Sequence, residues 1–149
     1  MGGTMRSIRY AILPAFAGLA AALALAFAPA AGATTGQQIT DLTGIPVNVG
    51  SLAPCLPFDL VITGNGHDHV VFSNAGFHEN ATVEGTGVAG PFSGHAEAWF
   101  TGNGKNGAQV NTFKAMLQLT QGTKIQQTGT FVLNANGVPV VNNLKVSCS

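Results

Sequence analysis

From Cys55 onward, apolar and polar residues alternate in short runs separated by glycine and asparagine. Leu56, Phe58, Leu60 and Ile62 alternate with Pro57, Asp59, Val61 and Thr63, and Gly64-Asn65-Gly66 reads as the turn that ends the run. Val70 and Phe72 mark a second strand, ending at Asn74-Ala75-Gly76. Ala81 and Val83 mark a third, which reaches Gly90-Pro91. A fourth places Gly94, Ala96, Ala98 and Phe100 on one face and ends at Gly102-Asn103-Gly104. The fifth has Phe113, Ala115, Leu117 and Leu119 on one face and Thr112, Lys114, Met116, Gln118 and Thr120 on the other. After Gln121-Gly122, a sixth turns Ile125, Gly129, Phe131 and Leu133 inward. Asn136-Gly137 is a hairpin signal, and the last run sets Val138, Val140, Leu144 and Val146 on one face, close to Cys148.

Period-two alternation in six or more segments spaced by turn residues predicts an all-β domain. No segment after residue 33 has apolar residues at helical spacing, and the connections are short, so consecutive antiparallel pairing, a meander, is expected. A meander leaves two unpaired edges unless it closes. The expected architecture is therefore an up-and-down β-barrel of seven to eight strands over residues 55–149, with a two-sheet β-sandwich as the alternative. Residues 34–54 are broken by Gly36, Gly44, Pro46, Gly50 and Pro54. They read as an extended N-terminal segment with one short strand near Ile39 to Ile45.

Residues 1–33 have a different composition. Arg6 and Arg9 precede an uncharged, Ala- and Leu-rich stretch from Ala11 to Ala28, and Ala31-Gly32-Ala33 supplies small residues before Thr34. This is the layout of a secretory signal peptide, with cleavage expected after Ala33. The alanine-dominated stretch, interrupted by Pro14, makes a retained membrane anchor the weaker reading. The chain is thus expected to be secreted and free of the membrane once cleaved.

The exported part carries four lysines against six acidic residues and no arginine, a net charge of −2. Such a balance excludes the clustered basic surface that nucleic-acid binding needs. Both cysteines, Cys55 and Cys148, lie in this part. In an oxidising compartment they are expected to form one disulfide, tying the ends of the domain together. No close pair of the C-x-x-C kind points to redox chemistry.

Several short motifs together resemble small, Gly- and Thr-rich secreted β-proteins of Gram-positive actinobacteria that have no assigned function. They are Cys55-Leu56-Pro57-Phe58-Asp59, the run from Glu79 to Gly87, Ala98-Trp99-Phe100 and the terminal Cys148. The resemblance covers residues 55–148. It implies secretion, a β fold and an end-to-end disulfide, and it carries no activity.

The candidate chemistry centres on His67-Asp68-His69. A His-x-His pair on a strand projects both rings to one face, at a spacing metal sites use. With Ser73 opposite His78, His67 would face Glu84 and His69 would face Thr82. With Ala89 and Phe92 flanking the next turn, Glu84 would face Glu97 and His95 would face Thr86. The core-face matches Val70 with Ala81 and Val83 with Ala98 support this parity. His67, Glu84 and Glu97 then form one row, with His69, His95 and Trp99 beside it and His78 out of reach. His67, His69, Glu84 and Glu97 are the candidate metal ligands, and Zn²⁺ or a similar divalent ion would suit imidazole and carboxylate. The plainer reading is a solvated strand face carrying His–Glu pairs, with no cofactor.

No Gly-x-Ser-x-Gly elbow is present, and neither Gly-Asn-Gly segment precedes a helix that could hold a phosphate. No residue is assigned a catalytic role. The sequence reading therefore favours a non-enzymatic secreted module that binds a small ligand or an envelope component. A metal-dependent or acid–base enzyme using the His/Glu row is the alternative.

Overall fold

The alternation is realised as strands longer than the turn signals imply. A computed structural model describes residues 35–149, and the expected signal peptide and its cleavage site lie outside the described residues. The strands are β1 (Gly36–Asp41), β2 (Val47–Ser51), β3 (Asp59–Ser73), β4 (Gly76–Ala89), β5 (Phe92–Lys105), β6 (Ala108–Leu119), β7 (Lys124–Leu133) and β8 (Pro139–Cys148). They form one antiparallel sheet in the order β1-β3-β4-β5-β6-β7-β8, with β2 also paired to β3.

Two predicted turns are strand interior. Gly64-Asn65-Gly66 lies within β3, so the first two predicted strands are one, and β5 runs through Gly102-Asn103-Gly104 to Lys105. The reason is steric. Gly64 pairs with Gly85 across β3 and β4, and a Cβ on either would collide with the opposing backbone at Glu84 or Thr63. Glycine there permits a close approach of two strands, which is its other role in a sheet. The turn after β5 is instead Asn106-Gly107, both at positive φ (52° and 80°), the backbone that Asn-Gly hairpins favour. The turns at Gly90-Pro91, Gln121-Gly122 and Asn136-Gly137 fall where the sequence places them.

Residues 36–51 contribute two strands rather than one. β1 pairs with the distal half of β3, from Gly36 with Phe72 to Asp41 with His67. β2 pairs with its proximal half, from Val47 with Ile62 to Ser51 with Asp59. Between them Leu42 N–H donates to the Gly66 carbonyl at 2.9 Å and Gly44 N–H to the Gly64 carbonyl at 2.8 Å. β1 and β2 thus act as one interrupted edge strand.

The sheet curls but does not close into a barrel. Among the described residues no ladder joins β8 to β1 or β2, and the single continuous sheet also replaces the sandwich alternative. At one end of the seam the segment after β2 fills the gap, and Cys55 is bonded to Cys148 with their Cα atoms 5.9 Å apart. There Gln127 of β7 donates to the Ser51 carbonyl at 2.8 Å. At the other end the inward-facing Val140, Asn142 and Leu144 of β8 remain exposed. Phe58, expected inside, lies in the filling segment and packs against Phe92, ring centroids 6.3 Å apart.

The core sits at the disulfide end of the inner face. Leu52, Leu60, Ile62, Ala96, Leu117 and Ile125 are buried there, with Val49, Val83 and Leu119. Each fully buried Leu or Ile stabilises the fold by roughly 1.5–3 kcal/mol. Farther along the same face the apolar lining gives way to buried polar side chains.

Candidate functional site

On the outer face, β3 carries His67 and His69 with parity as expected, but the register differs by two residues. The β3–β4 turn is two residues long, with Ser73 opposite Gly76, so His67 faces Thr82 and His69 faces Asn80. Asn65, not His67, faces Glu84, and Val70 faces Glu79 rather than Ala81. The β4–β5 register is as expected, with Glu84 opposite Glu97, Thr86 opposite His95 and Val83 opposite Ala98. A shorter turn shifts pairing by two without exposing the core face, so hydrophobic parity does not oppose it.

Each histidine has local partners. His67 Nδ1 lies 3.5 Å from Thr82 Oγ1, and His69 Nε2 lies 3.4 Å from Gln37 Oε1. His95 Nε2 is 3.6 Å from Glu84 Oε1, with both side chains largely exposed. His78, expected out of reach, pairs one step from the His69–Asn80 pair. Asn80 Nδ2 donates to its Nε2 at 2.7 Å and its Nδ1–H donates to Asn103 Oδ1 at 2.7 Å. The Lys114 ammonium sits 5.5 Å from the Trp99 ring centre. Thr43, His67, Glu84, His95, Glu97 and Trp99 line a shallow open groove. Among the described residues no three His, Cys, Asp or Glu side chains come together to hold one metal ion. His67, His69, Glu84 and Glu97 share a face but are not gathered into one donor set.

The inner face carries a second arrangement, which the sequence reading passed over. Three cross-strand rows define it. The first runs Val70, Glu79, Gly102, Asn111, Phe131, and the next Thr40, Asp68, Ala81, Phe100, Phe113, Gly129. The third runs Gly66, Val83, Ala98, Ala115, Gln127. Asp68 is 1% exposed, Glu79 5%, Asn111 3% and Gln127 0%. Both Asp68 carboxylate oxygens, Glu79 Oε1, Asn111 Nδ2 and Gln127 Oε1 find no hydrogen-bond partner among the described residues. Buried polar atoms are usually paired, and leaving one unpaired costs about 1–3 kcal/mol.

Gly102 is what lets the cluster form. A Cβ there would stand 2.9 Å from Asn111 Oδ1 and 3.1 Å from Glu79 Oε2, so both side chains occupy the space over its backbone. Burial raises the Asp68 pKa, an effect partly offset by His69 and His67 on the opposite face. Burial, with the charge of Asp68 beside it, raises Glu79 to about 7.

On the same face lies a cavity of about 70 Å³, whose lining includes Ala81 and Asn111 but neither carboxyl. Ala81, Val83, Ala98, Phe100, Phe113, Ala115 and Phe131 form its floor, Leu42, Val47 and Val49 of the edge strand cover it, and Asn111 is the polar inner-face residue among those lining it. Parity could have exposed this arrangement in the sequence. Asp68 alternates in step with Leu60, Ile62 and Val70, and Glu79 with Ala81 and Val83, so both point inward. No family model, curated protein or solved structure matches the chain.

Proposed function

We propose that the protein is exported and works outside the cytoplasm as a non-enzymatic binding module. It holds a small ligand, or a small group displayed by a cell-envelope component, against the inner face of its sheet. The observation that carries this reading is the apolar cavity between β4–β7 and the edge strand, on a face whose same and neighbouring rows carry buried polar side chains without partners among the described residues. Apolar concavities with a few convergent polar groups are the usual form of small-ligand sites. The volume is roughly half of the ~150 Å³ that accommodates benzene, so the buried part of the ligand is a short alkyl group or its equivalent. The Cys55–Cys148 bond supports work in an oxidising compartment, as does the resemblance to secreted actinobacterial β-proteins.

The alternative, an enzyme built on the outer row, has less support, because its His and Glu side chains are solvated and not gathered into one set. A titration tests the binding reading. Xenon and 1-propanol are expected to shift the amide resonances of Ala81, Ala98 and Phe131, and Ala98→Leu, which fills the cavity, is expected to abolish those shifts. Probes that leave these resonances unmoved in the wild type up to their solubility limit overturn it.

A further inference from the structure

Asp68 and Glu79 are two acidic side chains on neighbouring rows of the inner face, each more than nine-tenths buried. Between them, three carboxylate oxygens lack a partner among the described residues. Neither carboxyl lines the cavity, but a neighbour of each does: Ala81, directly across the ladder from Asp68, and Asn111, which with Glu79 flanks Gly102. Asn111, one of the lining residues, has a buried Nδ2 with no partner among the described residues.

Nothing cationic within the described chain serves these oxygens. Lys105, Lys114, Lys124 and Lys145 all sit at outward-facing register positions, and Lys114 is engaged with Trp99. His67 and His69 flank Asp68 in sequence but occupy the opposite face. Two like charges held close in a poorly solvated place repel each other, and a buried carboxylate is stable only when paired. A neutral donor would satisfy lone pairs without relieving the repulsion. An anion would add to it. A bare metal ion would leave the apolar, phenylalanine-lined space beside the pair unused. An alkylammonium ion meets both requirements: three N–H donors with a positive charge for the carboxylates, and an alkyl group for the cavity. Phe100 and Phe131 beside it add faces that attract cations.

We infer that the inner face binds a small primary alkylammonium ion, its ammonium group against Asp68 and Glu79 and its alkyl group in the cavity beside Phe100 and Phe131. This rests on the binding-module reading and names the ligand class of that same site.

The test is a calorimetric and NMR titration of the purified, disulfide-intact protein at pH 8 with n-propylammonium, 1-propanol and propionate, three probes of similar size. Propylammonium is expected to bind saturably and to shift the amides of Ala81, Asn111 and Phe131. 1-Propanol is expected to bind at least tenfold more weakly at the same place, and propionate not at all. Asp68→Asn and Glu79→Gln are each expected to weaken propylammonium at least tenfold while leaving 1-propanol unchanged. Equal affinity for propylammonium and 1-propanol in the wild type overturns the ammonium assignment and leaves the binding module standing. Wild-type affinity for propylammonium in both variants does the same. If neither probe reaches the cavity residues, both readings fail together.

Discussion

The Gln127 side-chain amide donates to the Ser51 carbonyl at 2.8 Å, joining β7 to the end of β2 across the interior of the curled sheet. Gln127 is fully buried, and its partner belongs to a strand 76 residues earlier. Where a closed barrel would have a ladder, the described residues place one side-chain hydrogen bond and one disulfide.

Replacing Gln127 by Ala should therefore be costly. The change leaves the Ser51 carbonyl without its donor and opens space beside Ala115. A loss of about 2–4 kcal/mol is expected. Urea denaturation monitored by the fluorescence of Trp99 measures it, and a loss below about 0.5 kcal/mol would show that the bond does not hold the seam.

The disulfide should be the second closure. Cys55 and Cys148 are separated by 93 residues, and the bond spans the gap between the segment after β2 and the end of β8. Closing so long a loop stabilises by roughly 4–5 kcal/mol in the chain-entropy model, and commonly by less. The double variant Cys55→Ser/Cys148→Ser is expected to melt well below the wild type under oxidising conditions and to match it under reducing ones. Equal melting temperatures in oxidising buffer would place the seam's stability elsewhere.

Gly64 and Gly85 should tolerate no side chain. Each would drive a Cβ into the backbone of the opposite strand, where nothing flexible can yield. Gly64→Ala or Gly85→Ala is expected to cost at least about 3 kcal/mol. Gly36→Ala, whose Cβ would meet nothing within 4 Å, should be close to neutral. Thermal melts of the three variants suffice, and comparable melting for Gly85→Ala and Gly36→Ala would refute the close-approach account.

These glycines also mark where the sequence was and was not readable. The parity of β3 to β8 was legible, because one wrong step would expose Leu60, Ile62 or Leu117. Register within that parity was not, since Ser73 opposite Gly76 and Ser73 opposite His78 bury the same face. That ambiguity placed His67 opposite Glu84, where Asn65 stands. Gly-Asn-Gly segments carry the same residues whether they turn a chain or let two strands approach, so β3 and β5 read as shorter than they are. Closure was misjudged for a different reason. A disulfide between the chain's ends accords with a barrel, and no local pattern says that a loop rather than a ladder lies beneath it. The inner polar cluster was legible by alternation, but Asp68 between two histidines draws attention to the outer face.

The last prediction concerns pH. Glu79 has Asp68 and Val70 on β3 beside it, Gly102 and Phe100 on β5, Asn111 on β6 and Phe131 beyond. Asp68 is the titratable group among these, and its charge reinforces burial in raising Glu79 from 4.5 to about 7. The native state then holds a proton that the unfolded chain has released over this interval. Stability therefore falls as pH rises from 4.5 to about 7 and levels off above it. One pKa unit corresponds to about 1.4 kcal/mol, and with solvent screening part of the charge the loss is on the order of 2 kcal/mol. Glu79→Gln, uncharged throughout, should flatten this decline and exceed the wild type in stability at pH 8. An ammonium ligand acts in the opposite sense, favouring ionised Glu79, so propylammonium should bind more tightly as pH rises through 7, with release of a proton. Urea denaturation at half-unit steps from pH 4.5 to 8 measures the first effect. Parallel curves for the wild type and Glu79→Gln would mean that Glu79 ionises in the folded protein as it does in the unfolded chain.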